Sequence, residues 1–80
     1  MTSFNDDAII QLDAKRLLCP LPVIRLQNCV KTTPPGSIIE IICTDPGTLH
    51  DIPTWCQLYG HRVLHVEERE ESLHFFIQVI

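Results

Sequence analysis

The chain's folding options narrow most at Cys19-Pro20-Leu21-Pro22. Two prolines one residue apart do not fit inside a helix or a central strand, because each lacks a backbone N–H and fixes φ. They fit at a helix start, where the N–H groups have no intrahelical partner to lose. The flanking residues agree. Before the stretch, Ile10 and Leu12 alternate with Gln11, the period of a half-buried strand, expected over Ala8 to Asp13. After it, Val23, Leu26 and Val30 recur on one helical face with Cys29 at its edge, and this predicts a helix over about Pro20 to Thr32. Ala14 to Leu18 is the connecting loop. Cys19 then stands at or just before a helix start, where unpaired N–H groups and the positive end of the helix dipole favour an anion. A thiolate or a persulfide is such an anion. Cysteines in this setting have pKa values lowered from about 8.5, so Cys19 is the candidate reactive atom and its thiol is expected to be acidic.

The rest of the chain supplies a sheet for that helix. Thr33-Pro34-Pro35-Gly36 ends the helix. Ser37 to Thr44 reads as an interior strand, with Ile39, Ile41 and Cys43 inward and Glu40 outward. A one-helix connection makes these first two strands parallel, with a right-handed crossover. Asp45-Pro46-Gly47 is a turn. A second helix ends near Tyr59, before Gly60, with Leu49, Ile52, Trp55, Cys56 and Tyr59 on its core face. Pro53 fits if the regular helix starts near Asp51 as N-cap with Pro53 in the first turn, which leaves Thr48 to His50 as a separate turn. Arg62 to Glu67 is a strand with Leu64 and Val66 inward, Glu68 to Glu71 a hairpin loop, and Ser72 to Ile80 a strand with Leu73, Phe75, Ile77 and Val79 inward. The order βαβαββ gives an α+β two-layer sandwich, two helices packed on one face of a four-stranded mixed sheet. The other face would present Gln11, Glu40, His65, His74, Phe76 and Gln78 to solvent. Residues 1–6 read as a loose tail and residues 7–80 as one domain.

Composition excludes several functions. The formal net charge of −4 and only six basic residues disfavour direct contact with nucleic acid, which relies on clustered Lys and Arg. No apolar run approaches the ~20 residues of a membrane helix. The polar, acidic start Met1 to Asp7 does not resemble a secretory signal. The four cysteines, Cys19, Cys29, Cys43 and Cys56, are then expected as reduced thiols in the cytoplasm. Cys29, Cys43 and Cys56 fall in apolar periodic segments, where cysteine serves as a small hydrophobe. A second, resolving thiol is the alternative for Cys56. His50, His61, His65 and His74 form no zinc-like pattern, and no metal or other cofactor is expected.

The Leu12-Asp13 pair, the Leu17-Leu18-Cys19-Pro20-Leu21-Pro22-Val23 segment, and the later Asp45-Pro46-Gly47 and Asp51-Ile52-Pro53 together resemble the TusA/SirA family of small sulfur-carrier proteins over nearly the whole chain. The resemblance implies a strand order of 1-2-4-3. It also implies that Cys19 accepts sulfane sulfur as a persulfide from a cysteine desulfurase or another sulfur donor protein and relays it to an acceptor protein. This is sulfurtransferase-type chemistry without a cofactor, open to tRNA thiolation, cofactor sulfuration or sulfur oxidation. A monomer is expected, since a carrier engages its partners in turn. Pro20 and Pro22 would stiffen the helix start and hold the thiol in place. Lys15 and Arg16 are candidates to stabilise the thiolate, or else a solvated loop pair; the family commonly has glycine where Arg16 stands. Leu21, where members acting in tRNA thiolation often have an acidic residue, forms with Ile24 a candidate docking patch, or else the two are scattered surface apolar residues. Asp45, Asp51 and Pro53 match family positions, but turn formation and capping account for them. The alternative function is a non-catalytic interaction or regulatory module on the same fold.

Overall fold

The computed structural model describes residues 9–80. The expected tail over residues 1–6 and the start of the first strand at Ala8 lie outside the described residues. The elements are β1 (Ile9–Ala14), α1 (Leu21–Lys31), β2 (Ile38–Cys43), α2 (Thr48–Tyr59), β3 (Arg62–Arg69) and β4 (Ser72–Gln78). The four strands form one sheet in the order β1-β2-β4-β3. β1 and β2 are parallel, and β4 pairs antiparallel with both β2 and β3. The expected α+β architecture and strand order are thus the observed ones.

The core lies between the sheet and the two helices. Ile39, Ile41 and Cys43 of β2, with Phe75 and Ile77 of β4, are fully buried against Leu26 of α1 and against Ile52 and Cys56 of α2. Their alternation along the strands is the period of two that the sequence carries. Pro22 is also fully buried. At the second position of α1 it loses no hydrogen bond, so it serves as a core side chain as well as a stiffener. Leu73 and Val79 are buried too, as expected for β4.

Three expectations need correction. First, α2 begins at Thr48 and contains Pro53 in its interior, so Asp51 is not the N-cap. Thr48, Leu49 and His50 donate to the carbonyls of Asp45, Pro46 and Gly47, a tight first turn of the 3₁₀ kind, and the first α-type bond runs from Asp51 N–H to the Gly47 carbonyl. The acceptor that Pro53 leaves unused is the Leu49 carbonyl, on an exposed residue within reach of water. Leu49 and Tyr59, expected in the core, are 46% and 63% exposed. Second, β3 carries an irregularity between Val63 and His65. The extra residue shifts the register, so Val63 rather than Leu64 packs toward the core. Val66 opposes the buried Phe75 on the expected face, but on this edge strand its side chain stays 40% exposed. Third, Glu40 and His74 on the uncovered sheet face are buried, at 6% and 8% exposure. His74 Nδ1 lies 2.8 Å from Glu40 Oε2, the Ser72 hydroxyl lies 2.9 Å from His74 Nε2, and Gln11 Nε2 donates to Glu40 Oε1 at 3.2 Å. Neighbouring strands satisfy both groups, which is the condition for burying them.

Candidate functional site

The loop between β1 and α1 is held at both ends. Asp13 Oδ1 accepts the Lys15 N–H at 2.9 Å, and Arg25 of α1 donates to the Asp13 carbonyl at 3.0 Å. The Arg16 N–H donates to Thr44 Oγ1 at 2.8 Å, tying the loop to the end of β2. Arg16 has φ 67, the left-handed conformation for which glycine is the usual choice. Here an arginine adopts the backbone shape that glycine would take most easily. The polypeptide then passes Leu18 and Cys19, and α1 starts with Pro20 as its exposed N-cap residue.

Cys19 is exposed and free. Its N–H donates to Asp45 Oδ2 at 2.9 Å, and the other Asp45 oxygen accepts the Gly47 N–H at 3.2 Å. One carboxylate therefore pins the cysteine to the turn that precedes α2. The Cys19 thiol donates to the carboxylate of Asp51 in the first turn of α2. Beside the sulfur runs an open groove of about 270 Å³. Pro20 and Val23 form the α1 wall, and Asp51, Thr54, Trp55 and Leu58 form the α2 wall. The α2 residues recur at i, i+3, i+4 and i+7, one face of a helix. The groove is mostly apolar, and Cys19 is part of its lining.

The expected acidity of Cys19 is reversed in this setting. The hydrogen bond to Asp51 raises the thiol pKa above the ordinary 9.0; partial desolvation and the negative charges of Asp51 and Asp45 push the same way. The anion that the helix tip favours meets two carboxylates that oppose it. Lys15 and Arg16 do not relieve this. Lys15 pairs with Asp13 at 3.8 Å, and Lys15 and Arg16 line a separate depression with Arg69, Glu70 and Glu71.

The other predicted residues fall into two groups. Leu21 and Ile24 are half-exposed, as expected, but they line a different depression with Leu17, Arg25 and Asn28, on a face of α1 outside the Cys19 groove. Cys43 and Cys56 are buried, and burial pushes each thiol up to about 11. Cys29 is part-buried at the edge of the core, its sulfur 3.7 Å from Thr33 Oγ1. Among the described residues no cluster of three or more metal-ligating side chains occurs. Sequence reasoning missed the direct part of Asp45 and Asp51. The signal was there in two carboxylates on either side of the second helix's start, but turn and capping rules explained them too readily.

Both the sequence and the fold have known relatives. The family model described as "Sulfurtransferase TusA" matches residues 10–79. A sulfur carrier protein TusA from Pseudomonas putida (strain W619) is 40% identical over 78 residues, covering 98% of this chain and 95% of that one. Another, from Pseudomonas paraeruginosa (strain PA7), is 47% identical over 66 residues, covering 82% and 78%. The crystal structure of a SirA-like protein from Desulfitobacterium hafniense shares the fold, with a TM-score of 0.75 at 18% identity over 86% of this chain and 95% of that one. By the match over nearly its full length and the identity to these relatives, the chain belongs to the TusA sulfurtransferase family.

Proposed function

We propose that this protein is a sulfur carrier that holds sulfane sulfur as a persulfide on Cys19 and relays it between a donor and an acceptor protein. One observation carries the assignment to Cys19: its sulfur is exposed at the helix tip beside a groove, whereas Cys43 and Cys56 are sealed in the core. The family relationship supports the carrier role.

The chemistry is a sulfur exchange. Cys19 loses its proton to solvent and its Sγ attacks the outer sulfur of a donor persulfide, such as that of a cysteine desulfurase. The new Sγ–S bond forms as the donor's S–S bond breaks. The bonding pair leaves on the donor's inner sulfur, which departs as a thiolate and takes up a proton. Nothing is oxidised or reduced overall. Delivery repeats the step, with the acceptor's thiolate attacking the outer sulfur on Cys19. As in thiol–disulfide exchange, thiolate fraction and access set the rate. The groove supplies access, and α1 supplies a fixed base for the sulfur.

The test is mass spectrometry after incubation with cysteine and a cysteine desulfurase. The expected result is a gain of one sulfur atom by the native chain and none by Cys19→Ser. Loading of the serine variant would overturn the assignment. No loading of the native chain, where a known carrier loads, favours the non-catalytic module.

A further inference from the structure

The two carboxylates around Cys19 make an odd setting for a nucleophile, and the oddity points to a partner. A reacting thiol needs its thiolate form, and Asp51 and Asp45 both oppose that form. Among the described residues no ion pair reaches either carboxylate: the ion pairs involve Asp13, Glu40 and Glu67. Lys15 and Arg16 face the hairpin instead. Among the described residues, His50 is the one further titratable side chain lining the groove. Among the described residues, no lysine or arginine is therefore paired with the carboxylates that hold the thiol, and the chain as a whole carries a formal net charge of −4.

We propose that Asp51, with Asp45 behind it, locks the proton onto the Cys19 thiol and admits partners that place an arginine or lysine beside their own reactive sulfur. The inference rests on the sulfur-carrier reading and adds the chemistry of the partner to it. A guanidinium or ammonium set against Asp51 competes with the thiol for the carboxylate oxygen and cancels the repulsion. The proton then leaves to solvent and the sulfur attacks. A partner with an acidic surface at its sulfur adds a third negative charge and meets a closed site. The groove walls of Val23, Trp55 and Leu58 take the apolar flank of the same partner segment. An unpartnered Cys19 stays protonated, and so resists alkylation and oxidation.

Two measurements that involve no sulfur relay test the lock. The first is the rate of Cys19 alkylation by iodoacetamide against pH. Asp51→Asn is expected to shift the profile to lower pH by one unit or more, speeding alkylation at neutral pH about tenfold. An unshifted profile in a folded Asp51→Asn variant overturns the lock. The second compares two synthetic mixed-disulfide peptides of equal length, with arginine or glutamate next to the cysteine. At low salt the native chain should react with the arginine peptide about tenfold faster. Asp51→Asn should lose most of that preference, and Glu71→Gln on the hairpin should keep it. Equal rates in the native chain, or a preference that survives Asp51→Asn, overturn the partner chemistry. The two readings fail separately. A chain that shows both effects yet takes no sulfur from a persulfide keeps the lock and loses the carrier role, whereas one that loads sulfur without either effect keeps the carrier role and loses the lock.

Discussion

Two carboxylates in this molecule each meet a proton donor, and they do so in opposite surroundings. Asp51 meets the Cys19 thiol at the surface, with Asp45 nearby and no described cation on either. Glu40 meets His74 within the sheet, with Gln11 and Ser72 completing the set. The first pair is open and leaves charge unbalanced around a sulfur that can react. The second is closed, and its members satisfy one another. A buried, satisfied pair holds strands in register, while an exposed, unbalanced one can change state when a partner arrives. On the proposed reading, the helix tip serves function and the sheet pair serves stability.

That division can be broken experimentally, and the largest effect is expected in the sheet. Glu40→Ala leaves His74 and Gln11 without their acceptor, and denaturant unfolding should show a loss of about 3 kcal/mol. A loss below about 1 kcal/mol would mean that the pair is ornamental. Next comes Arg16→Val, which forces a β-branched residue into φ 67 and should cost about 1–2 kcal/mol, with Arg16→Gly tolerated at much smaller cost. The pH dependence sharpens the contrast further. Burial alone pushes the Glu40 carboxyl up, but hydrogen bonds from His74 and Gln11 and the charges of His74 and Arg69 outweigh it, so the group sits below the ordinary 4.5. A carboxyl depressed in the folded state adds stability above its unfolded pKa and loses it as pH falls through the folded value. Acid unfolding of the native chain should therefore steepen below about pH 4.5, and Glu40→Gln should flatten that limb. The smallest change belongs to Cys19→Ser, which touches an exposed side chain and should move unfolding by less than about 0.5 kcal/mol, although it removes the proposed carrier atom.

The legible parts of the fold were those set by strong local period. Ile39, Ile41 and Cys43, and Leu73, Phe75, Ile77 and Val79, alternate so regularly that their burial follows from order alone. The double proline fixed where α1 begins. Less legible was anything decided by neighbours distant in sequence. The bulge after Val63 has no signature in its own strand, and the burial of Glu40 depends on His74, 34 residues away. Pro53 points to a helix start near Asp51, yet α2 begins at Thr48 and holds Pro53 in its interior, because the acceptor it leaves unused belongs to the exposed Leu49. At the site, Cys19 stood out by its position, yet its protonation state depends on Asp51, 32 residues away, and helix-tip electrostatics alone gave the wrong sign.

One sulfur carries the proposed function, and peptide-level mass spectrometry of the sulfur-loaded full chain shows which cysteine holds it. The added sulfur is expected on Cys19 alone, and it should be released when an acceptor thiol is supplied. Added sulfur on Cys29, Cys43 or Cys56, with Cys19 unmodified, would contradict it.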